Sequence, residues 1–277
     1  MDSSSKNDLH AIEEFKKLGR ADLHIHSNFS DGRPTIEEIL EYVQNKTDLD
    51  IIAITDHNTI EGALLAKKIV KEKKYRFELI IGEEITSQEG HILGLFLTDP
   101  VPKGLPAHET INLIRKQDGV AVAAHPFEHT RLNQVGMETM NGVGFMTLIK
   151  EKHGFGGVEI VNATPTLADE NVSAAFVNRT LIFQAETGSS DAHILEAIGM
   201  GYTLFEGKTS DDLRKAIKIH QTQAMHKKWT IMALIKYLFF FIPIGLRLLL
   251  NTAIHGRAPK QIDLINIPKE WMSGKHF

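Results

Sequence analysis

The stretch Asp22-Leu23-His24-Ile25-His26-Ser27 alternates polar and apolar side chains. Successive strand residues face opposite sides, so His24 and His26 leave the backbone together while Leu23 and Ile25 point the other way. That geometry lets two imidazoles reach one ion. Downstream, apolar runs again end in, or just before, His or carboxylate: Thr55-Asp56-His57, Gly82-Glu83-Glu84, Ala124-His125-Pro126 and Asp191-Ala192-His193, with His91 and Asp31 in similar places. Strands are predicted at 21–26, 49–55, 77–84, 91–97, 120–125, 157–161, 181–186 and 201–205. Helices are predicted at 35–45, 59–72, 108–117, 167–178 and 210–224. Thr35 and Thr59 stand before acidic first turns, as helix N-caps do. Strand–helix alternation predicts βαβ units around a parallel sheet, open or closed into a barrel. If the strand ends converge on one face, they build a site there.

The 277 residues are 42% hydrophobic and 24% charged, which excludes collagen-like, disordered and coiled-coil chains. There is no cysteine, so disulfides, thiolate metal sites and cysteine nucleophiles are excluded, and a transition-metal site must use His, Asp and Glu. The polar opening Met1-Asp2-Ser3-Ser4-Ser5 resembles no secretory signal, and a cytoplasmic location is expected. The net charge of −4 is uneven. Residues 1–206 carry 19 Lys/Arg against 31 Asp/Glu, whereas residues 207–277 carry 12 against 4. An acidic body suits cations, and a basic tail suits phosphate, a membrane surface or nucleic acid.

A single histidine is more often an ordinary core or surface residue than a ligand. Six of the 14 at strand ends, interleaved with Asp31, Asp56, Glu83, Glu84 and Asp191, favour a metal centre. His10, His220, His226, His255 and His276 lie outside the pattern. Nitrogen and oxygen ligands suit Zn, Mn or Fe, and several ions together would clamp phosphate and activate water.

Taken in order, these motifs resemble those of the PHP (polymerase and histidinol phosphatase) superfamily. The first is Asp22-Leu23-His24-Ile25-His26-Ser27 with Ser30-Asp31-Gly32, and the second is Ile54-Thr55-Asp56-His57-Asn58-Thr59. The third is Gly82-Glu83-Glu84-Ile85-Thr86 with Gly90-His91-Ile92-Leu93-Gly94; Ala124-His125-Pro126 and Ser190-Asp191-Ala192-His193 complete the set. The resemblance covers about residues 20–220. It is nearest to stand-alone phosphoesterases, a branch that includes nucleotide phosphatases and 5′-to-3′ exoribonucleases.

The resemblance implies an α/β fold, a distorted (β/α)7 barrel with three divalent ions (Mn, Zn, Fe or Mg) at one end. It assigns His24, His26, Glu84 and Asp191 to the first ion, and Asp31, His57 and His193 to the second. His91 and His125 go to the third, with Glu84 bridging. Asp31, Glu84, Asp191 and His193 are the residues expected to carry catalysis, and Asp56 would orient a ligand histidine. The implied reaction is hydrolysis of a phosphoester on a phosphorylated small molecule, nucleotide or nucleic-acid end. Arg131 and His129, just after Ala124-His125-Pro126, are candidate phosphate contacts, Arg because its planar fork is bidentate. Two rivals are a non-catalytic metal-bound regulatory module at a membrane and a hydrolase of carboxylic esters or amides.

The expected layout is an extension over 1–19, the catalytic domain over 20–224 and a basic, hydrophobic helical extension over 225–277. Between Leu97 and Val120 there is room for one helix, so the large cap insertion of some relatives is absent; the glycine-rich 126–156 is predicted as a long mobile loop, a substitute lid. Residues 229–250 are apolar at 17 of 22 positions. Such a run is long enough to span a bilayer, but Lys236 and Arg247 would each cost about 2.5–3.5 kcal/mol near a helix centre, and Pro243 predicts a break or kink. Three destinations stay open for it: packing on the barrel or a second subunit, lying in a membrane interface, and spanning.

Overall fold

The computed structural model describes residues 18–132 and 137–255, with side chains for all of these except 129–132, 137–140, 243–245, 247–249 and 251–255. Its elements begin with β1 (Leu18–Asp22), α1 (Ile36–Lys46), β2 (Ile51–Ile54), α2 (Glu61–Lys73), β3 (Glu78–Thr86) and β4 (His91–Leu95). They continue with α3 (Ala107–Lys116), β5 (Val120–Ala123), β6 (His129–Leu132), β7 (Met137–Met140), α4 (Gly144–Lys150) and β8 (Gly157–Asn162). The last are α5 (Ala168–Val177), β9 (Ala185–Ser189), β10 (Gly201–Glu206), α6 (Ser210–Lys218), β11 (Thr222–His226) and α7 (Ile231–His255).

Nine strands form one sheet in the order β11-β10-β1-β2-β3-β4-β5-β8-β9. The β1-β2-β3 and β5-β8-β9 runs are parallel, as the alternation predicts. The distortion lies in β4, antiparallel to both β3 and β5 because a turn rather than a helix joins β3 to β4. β10 adds antiparallel to β1, with Leu18 opposite Glu206 and Ala21 opposite Thr203. The ends of the sheet meet through side chains. Thr203 Oγ1 donates to Gly188 O at 2.9 Å and accepts from Gly188 N at 3.0 Å, and Thr222 Oγ1 donates to Glu186 O at 2.7 Å. The result is a nearly closed α/β barrel.

Period two sorts the strand residues into two cores. Ile51 and Ala53 of β2 pack with Leu93, Val122 and Phe205, joined by Leu213 and Ile217 of α6. Ile52 and Ile54 pack instead with Ile39, Leu40 and Val43 of α1 in the helical layer. Helix α1 starts as predicted: Thr35 Oγ1 accepts from Glu38 N at 3.2 Å, and Glu38 Oε2 accepts from Thr35 N at 2.9 Å, a reciprocal cap. Helix α2 starts later, because Thr59 closes a turn by accepting from Glu61 N at 3.2 Å.

Three expectations need correction. The stretch 126–156 is not one long loop: it contains the β6–β7 hairpin and α4. The helix predicted over 210–224 stops at Lys218, and Thr222–His226 pairs with β10, so the domain boundary expected at 224 falls inside a strand. The strand predicted at 181–186 begins at Ala185; Asn178–Ile182 is a π-helical turn continuing α5 and ending at Phe183, φ +63°. An apolar run such as Thr180-Leu181-Ile182-Phe183 reads equally as strand or helix end.

Helix α7 continues past position 243, so Pro243 does not end it. Its first turns dock on the barrel. Trp229 Nε1 donates to Ala163 O at 2.8 Å, Ala233 and Phe240 are buried, and Lys236 pairs with Glu196. Among the described residues no helix is long and apolar enough to cross a membrane.

Candidate metal centre

Six histidines and three carboxylates from six separate segments meet at the ends of the strands. His24 and His26 follow β1, Glu84 lies in β3, His91 opens β4 and His125 follows β5. Asp31, His57, Asp191 and His193 sit in the connecting loops. Asp22 ties the first motif to the last: its carboxylate accepts from Ser190 N at 3.0 Å and Gly199 N at 2.8 Å, bracketing Asp191 and His193. Burial pushes the Asp22 carboxyl up to about 6 against the pull of those hydrogen bonds. Asp56 holds the loop that carries Asp31, accepting from Ser27 N at 2.7 Å, Ser27 Oγ at 2.6 Å and Ser30 Oγ at 2.6 Å. No direct bond from Asp56 to a histidine is seen among the described residues, so its positioning acts through the serines. Gly32 passes so close to the His26 carbonyl that no Cβ fits, which explains the glycine of Ser30-Asp31-Gly32.

Glu84 is the hub. Its Oε2 lies 3.3 Å from His24 Nε2, 3.3 Å from His26 Nε2 and 3.2 Å from His57 Nδ1. Its Oε1 lies 2.9 Å from His91 Nδ1 and 3.0 Å from His125 Nε2. Asp191 Oδ1 faces His24 Nε2 at 3.5 Å and His26 Nε2 at 3.2 Å. Asp31 Oδ2 faces His57 Nε2 at 3.6 Å and His193 Nε2 at 3.1 Å. All nine predicted ligands are therefore brought together. Four overlapping groups have ligand atoms within 4.8 Å of one another: His26/Asp31/His57/His193, His24/His26/Glu84, His24/His125/Asp191 and His57/Glu84/His91. Asn58, His125 and Asp191 adopt φ of +55°, +25° and +51°, the left-handed backbone that ordinary residues avoid and that concentrates at functional sites.

A metal fits this donor set. His24 Nε2, His26 Nε2, His57 Nδ1 and His91 Nδ1 are buried without a hydrogen-bond partner, although carboxylate oxygens lie within 3.3 Å of each. Nitrogens and oxygens so placed aim at shared points rather than at one another. The far nitrogens set the tautomers. His24 Nδ1 meets Glu159 Oε1 at 3.2 Å, and His193 Nδ1 meets the Asp191 carbonyl at 3.0 Å. With the proton on each Nδ1, each Nε2 lone pair faces inward as a ligand requires.

The electrostatics agree. Burial alone would lower the His24 and His26 pKa values, but surrounding carboxylates outweigh it, raising His24 well above its ordinary value and His26 to about 10. Burial takes His57 the other way, to about 4, helped by His26 and His91 and opposed by Glu84 and Asp31. Burial opposes ionisation of Glu84, Asp31 and Asp191, yet the imidazoles hold all three below the usual carboxylate range. A pocket so rich in carboxylates needs cations, which metal ions would supply in place of protons.

Sequence reasoning missed the outer supports. Glu159 is fully buried; besides His24, it accepts from His125 N at 2.8 Å and Asn162 Nδ2 at 3.1 Å, and Asn162 Nδ2 also donates to Asp191 Oδ2 at 3.0 Å. A carboxylate inside the apolar run Gly157-Val158-Glu159-Ile160-Val161 was the available signal. Of the phosphate candidates, His129 and Arg131 lie in β6, and their side chains fall outside the described residues. A groove of about 480 Å³ opens beside His57, lined by Phe29, Asn58, Pro100 and Lys103 among others. The rings of Phe240 and Phe241 from α7 stand 6.0 and 5.8 Å from that of His193.

A near-closed barrel with clustered His, Asp and Glu at its strand ends defines a class of multi-ligand metal-site α/β proteins. Within it, the PHP domain sequence profile matches residues 22–220, and the chain belongs to the PHP domain family. An uncharacterised protein of Methanocaldococcus jannaschii is 44% identical over 119 residues, 39% of this chain and 68% of that protein. A phosphoribosyl 1,2-cyclic phosphate 1,2-diphosphodiesterase of Eggerthella lenta is 30% identical over 87 residues, 29% of this chain and 32% of that enzyme. Among solved structures, PsfC of Pseudomonas syringae matches 83% of this chain and 99% of its own with a TM-score of 0.58 at 18% identity. A two-domain Bacteroides vulgatus protein containing a predicted PHP-like metal-dependent phosphoesterase matches 76% of this chain and 65% of its own (TM-score 0.60, 19% identity). At these identities the solved structures establish the fold.

Proposed function

We propose that this chain is a metal-dependent phosphoester hydrolase whose ligands are His24, His26, Asp31, His57, Glu84, His91, His125, Asp191 and His193. The convergence of partnerless buried imidazole nitrogens on Glu84 carries this reading. Three ions suit the assignment of His24, His26, Glu84 and Asp191 to one, Asp31, His57 and His193 to another, and His91 and His125 to a third with Glu84 shared. Mn, Zn, Fe and Mg all accept nitrogen and oxygen donors. When bound, the ions supply charge neutralisation for the phosphoryl oxygens and an activated water at neutral pH.

The chain's own residues do the rest. Glu159 and the Asp191 carbonyl keep the protons of His24 and His193 on Nδ1. Asp22 and Asp56 hold the loops bearing Asp191, His193 and Asp31 in register. Phe240 and Phe241 close one flank against water, so the groove beside His57 is the approach for the organic part of the substrate. The substrate is a phosphorylated small molecule or a nucleic-acid end. The partial match to a cyclic-phosphate diphosphodiesterase supports the phosphoester class.

The test is phosphate release by the full chain, loaded with Mn or Zn, from a panel of nucleotides, sugar phosphates and 5′-phosphorylated oligonucleotides, beside carboxylic esters and amides. Phosphate release lost in Asp191→Ala and in His193→Ala is expected. Bound metal with no turnover of any ester would leave a regulatory metal module, and turnover confined to carboxylic esters or amides would replace the phosphoester reading.

A further inference from the structure

We propose that the outer face of α7 docks this protein on an anionic lipid surface. Helix α7 has two apolar faces. The inner one, with Ala233, Tyr237, Phe240 and Phe241, packs on the barrel. The outer one meets no other part of the described chain. At about 100° per residue, Ile231, Ile235, Leu238, Phe239, Ile242 and Leu246 fall within an arc of about 100°, the width of an amphipathic stripe. Their exposures run from 41% to 78%, so this is one continuous patch of large side chains and not scattered single residues.

Charge selects the occupant. Between Asp212 and Asp263 the sequence holds nine Lys/Arg and no Asp/Glu. Exposed Lys228 precedes the helix with no acidic partner among the described residues, whereas Lys227 and Lys236 are ion-paired to Asp48 and Glu196 on the barrel side. A second copy would bring the same positive rim against this one, whereas an anionic bilayer offers an apolar interior beneath a negative surface. The body over residues 1–206 is acidic, with 19 Lys/Arg against 31 Asp/Glu, and is repelled by such a surface. Attachment is therefore confined to α7, lying flat. The inner face of the same helix touches His193 through Phe240 and Phe241, which sets the metal centre about one helix diameter, roughly 10–12 Å, from the lipid. This inference does not depend on which bond the centre cleaves.

Sedimentation of the metal-loaded full chain with vesicles tests it. Pelleting is expected with equimolar phosphatidylglycerol and phosphatidylcholine, much less with phosphatidylcholine alone, and declining with added salt. Leu238→Glu/Ile242→Glu removes two exposed anchors and should weaken partitioning about a hundredfold while the melting midpoint stays put. Lys228→Glu should weaken binding to the anionic vesicles only. Absence of pelleting with either vesicle, or equal pelleting with both, overturns the proposal. So does a dimer seen by light scattering that ignores vesicles and dissociates in the double variant, which would assign the stripe to a second copy.

Discussion

Glu83 and Glu84 are neighbours in sequence and both buried, but they face different partners. Glu84 faces five imidazoles, whereas Glu83 accepts one hydrogen bond, from Val101 N at 2.8 Å. Glu84→Gln is expected to reduce bound metal and to lower kcat by at least about a hundredfold, because an amide cannot bridge ions with two anionic oxygens. Glu83→Gln should keep its metal, as elemental analysis of both variants will show. Burial raises Glu83 to about 7. The native state thus holds this proton more tightly than the unfolded chain, so the contribution to stability is full below the ordinary value near 4.5 and fades as pH rises through about 7. The unfolding free energy from denaturant titrations between pH ~5 and ~8 should therefore fall in the wild type relative to Glu83→Gln, by up to about 3 kcal/mol. Glu159 touches no proposed substrate position, yet Glu159→Gln should weaken metal affinity about 10–100-fold, measured by competition with a chelating dye, because it frees His24 and the His125 loop. The convergence of the inward side chains was legible because His and carboxylates recur at the ends of successive strands. Glu159 was not, because its meaning lies in partners far along the chain, His24 at one remove and His125 at another.

Elements were legible where period and cap agreed. Thr35 with Glu38 fixed the start of α1, and the apolar runs located β2 and β3; β1, expected at 21–26, spans Leu18–Asp22 instead, and His24 and His26 lie beyond its end, with Ile25 held by a single bridge to Ala192. The β6–β7 hairpin and α4 were hidden by glycines that resemble loop, and β11 by a helical-looking run continuing from α6. Their pairing partners, in the hairpin and in β10, are tertiary information. For α7, hydropathy alone could not tell a docked face from an exposed one, since both are apolar. Two neighbouring phenylalanines separate them. Phe240→Ala, on the buried face, should cost about 3 kcal/mol and open the segment around Lys227–Trp229 to protease. Phe239→Ala, on a side chain 73% exposed, should stay within about 0.5 kcal/mol. Limited proteolysis and urea midpoints of the two variants distinguish the faces directly.

At the scale of the molecule, the metal centre stitches together segments from His24 to His193, so its contents bear on stability as well as chemistry. Ions held at about a hundred times their Kd contribute about 2.7 kcal/mol, and chelation should lower the thermal midpoint by about 5–10 °C. Scanning calorimetry before and after chelation, and after reloading with Mn or Zn, measures it; an unchanged midpoint would mean that no ion had been bound. The barrel class was legible from alternation together with the ordered motifs. The antiparallel β4 and the closing contacts of Thr203 and Thr222 were not, because sequence patterning carries no register.

The pairing of β1 with β10 reaches further than architecture. One edge of β1 is matched early by β2, but the other waits for residues 203–206. At about 5–20 residues per second, a ribosome leaves that edge bare for roughly 10–40 s after β1 is made. An unpaired edge is a template for any passing strand. During synthesis this chain is therefore most exposed to mispairing at β1, and closure of its barrel is gated by the arrival of β10.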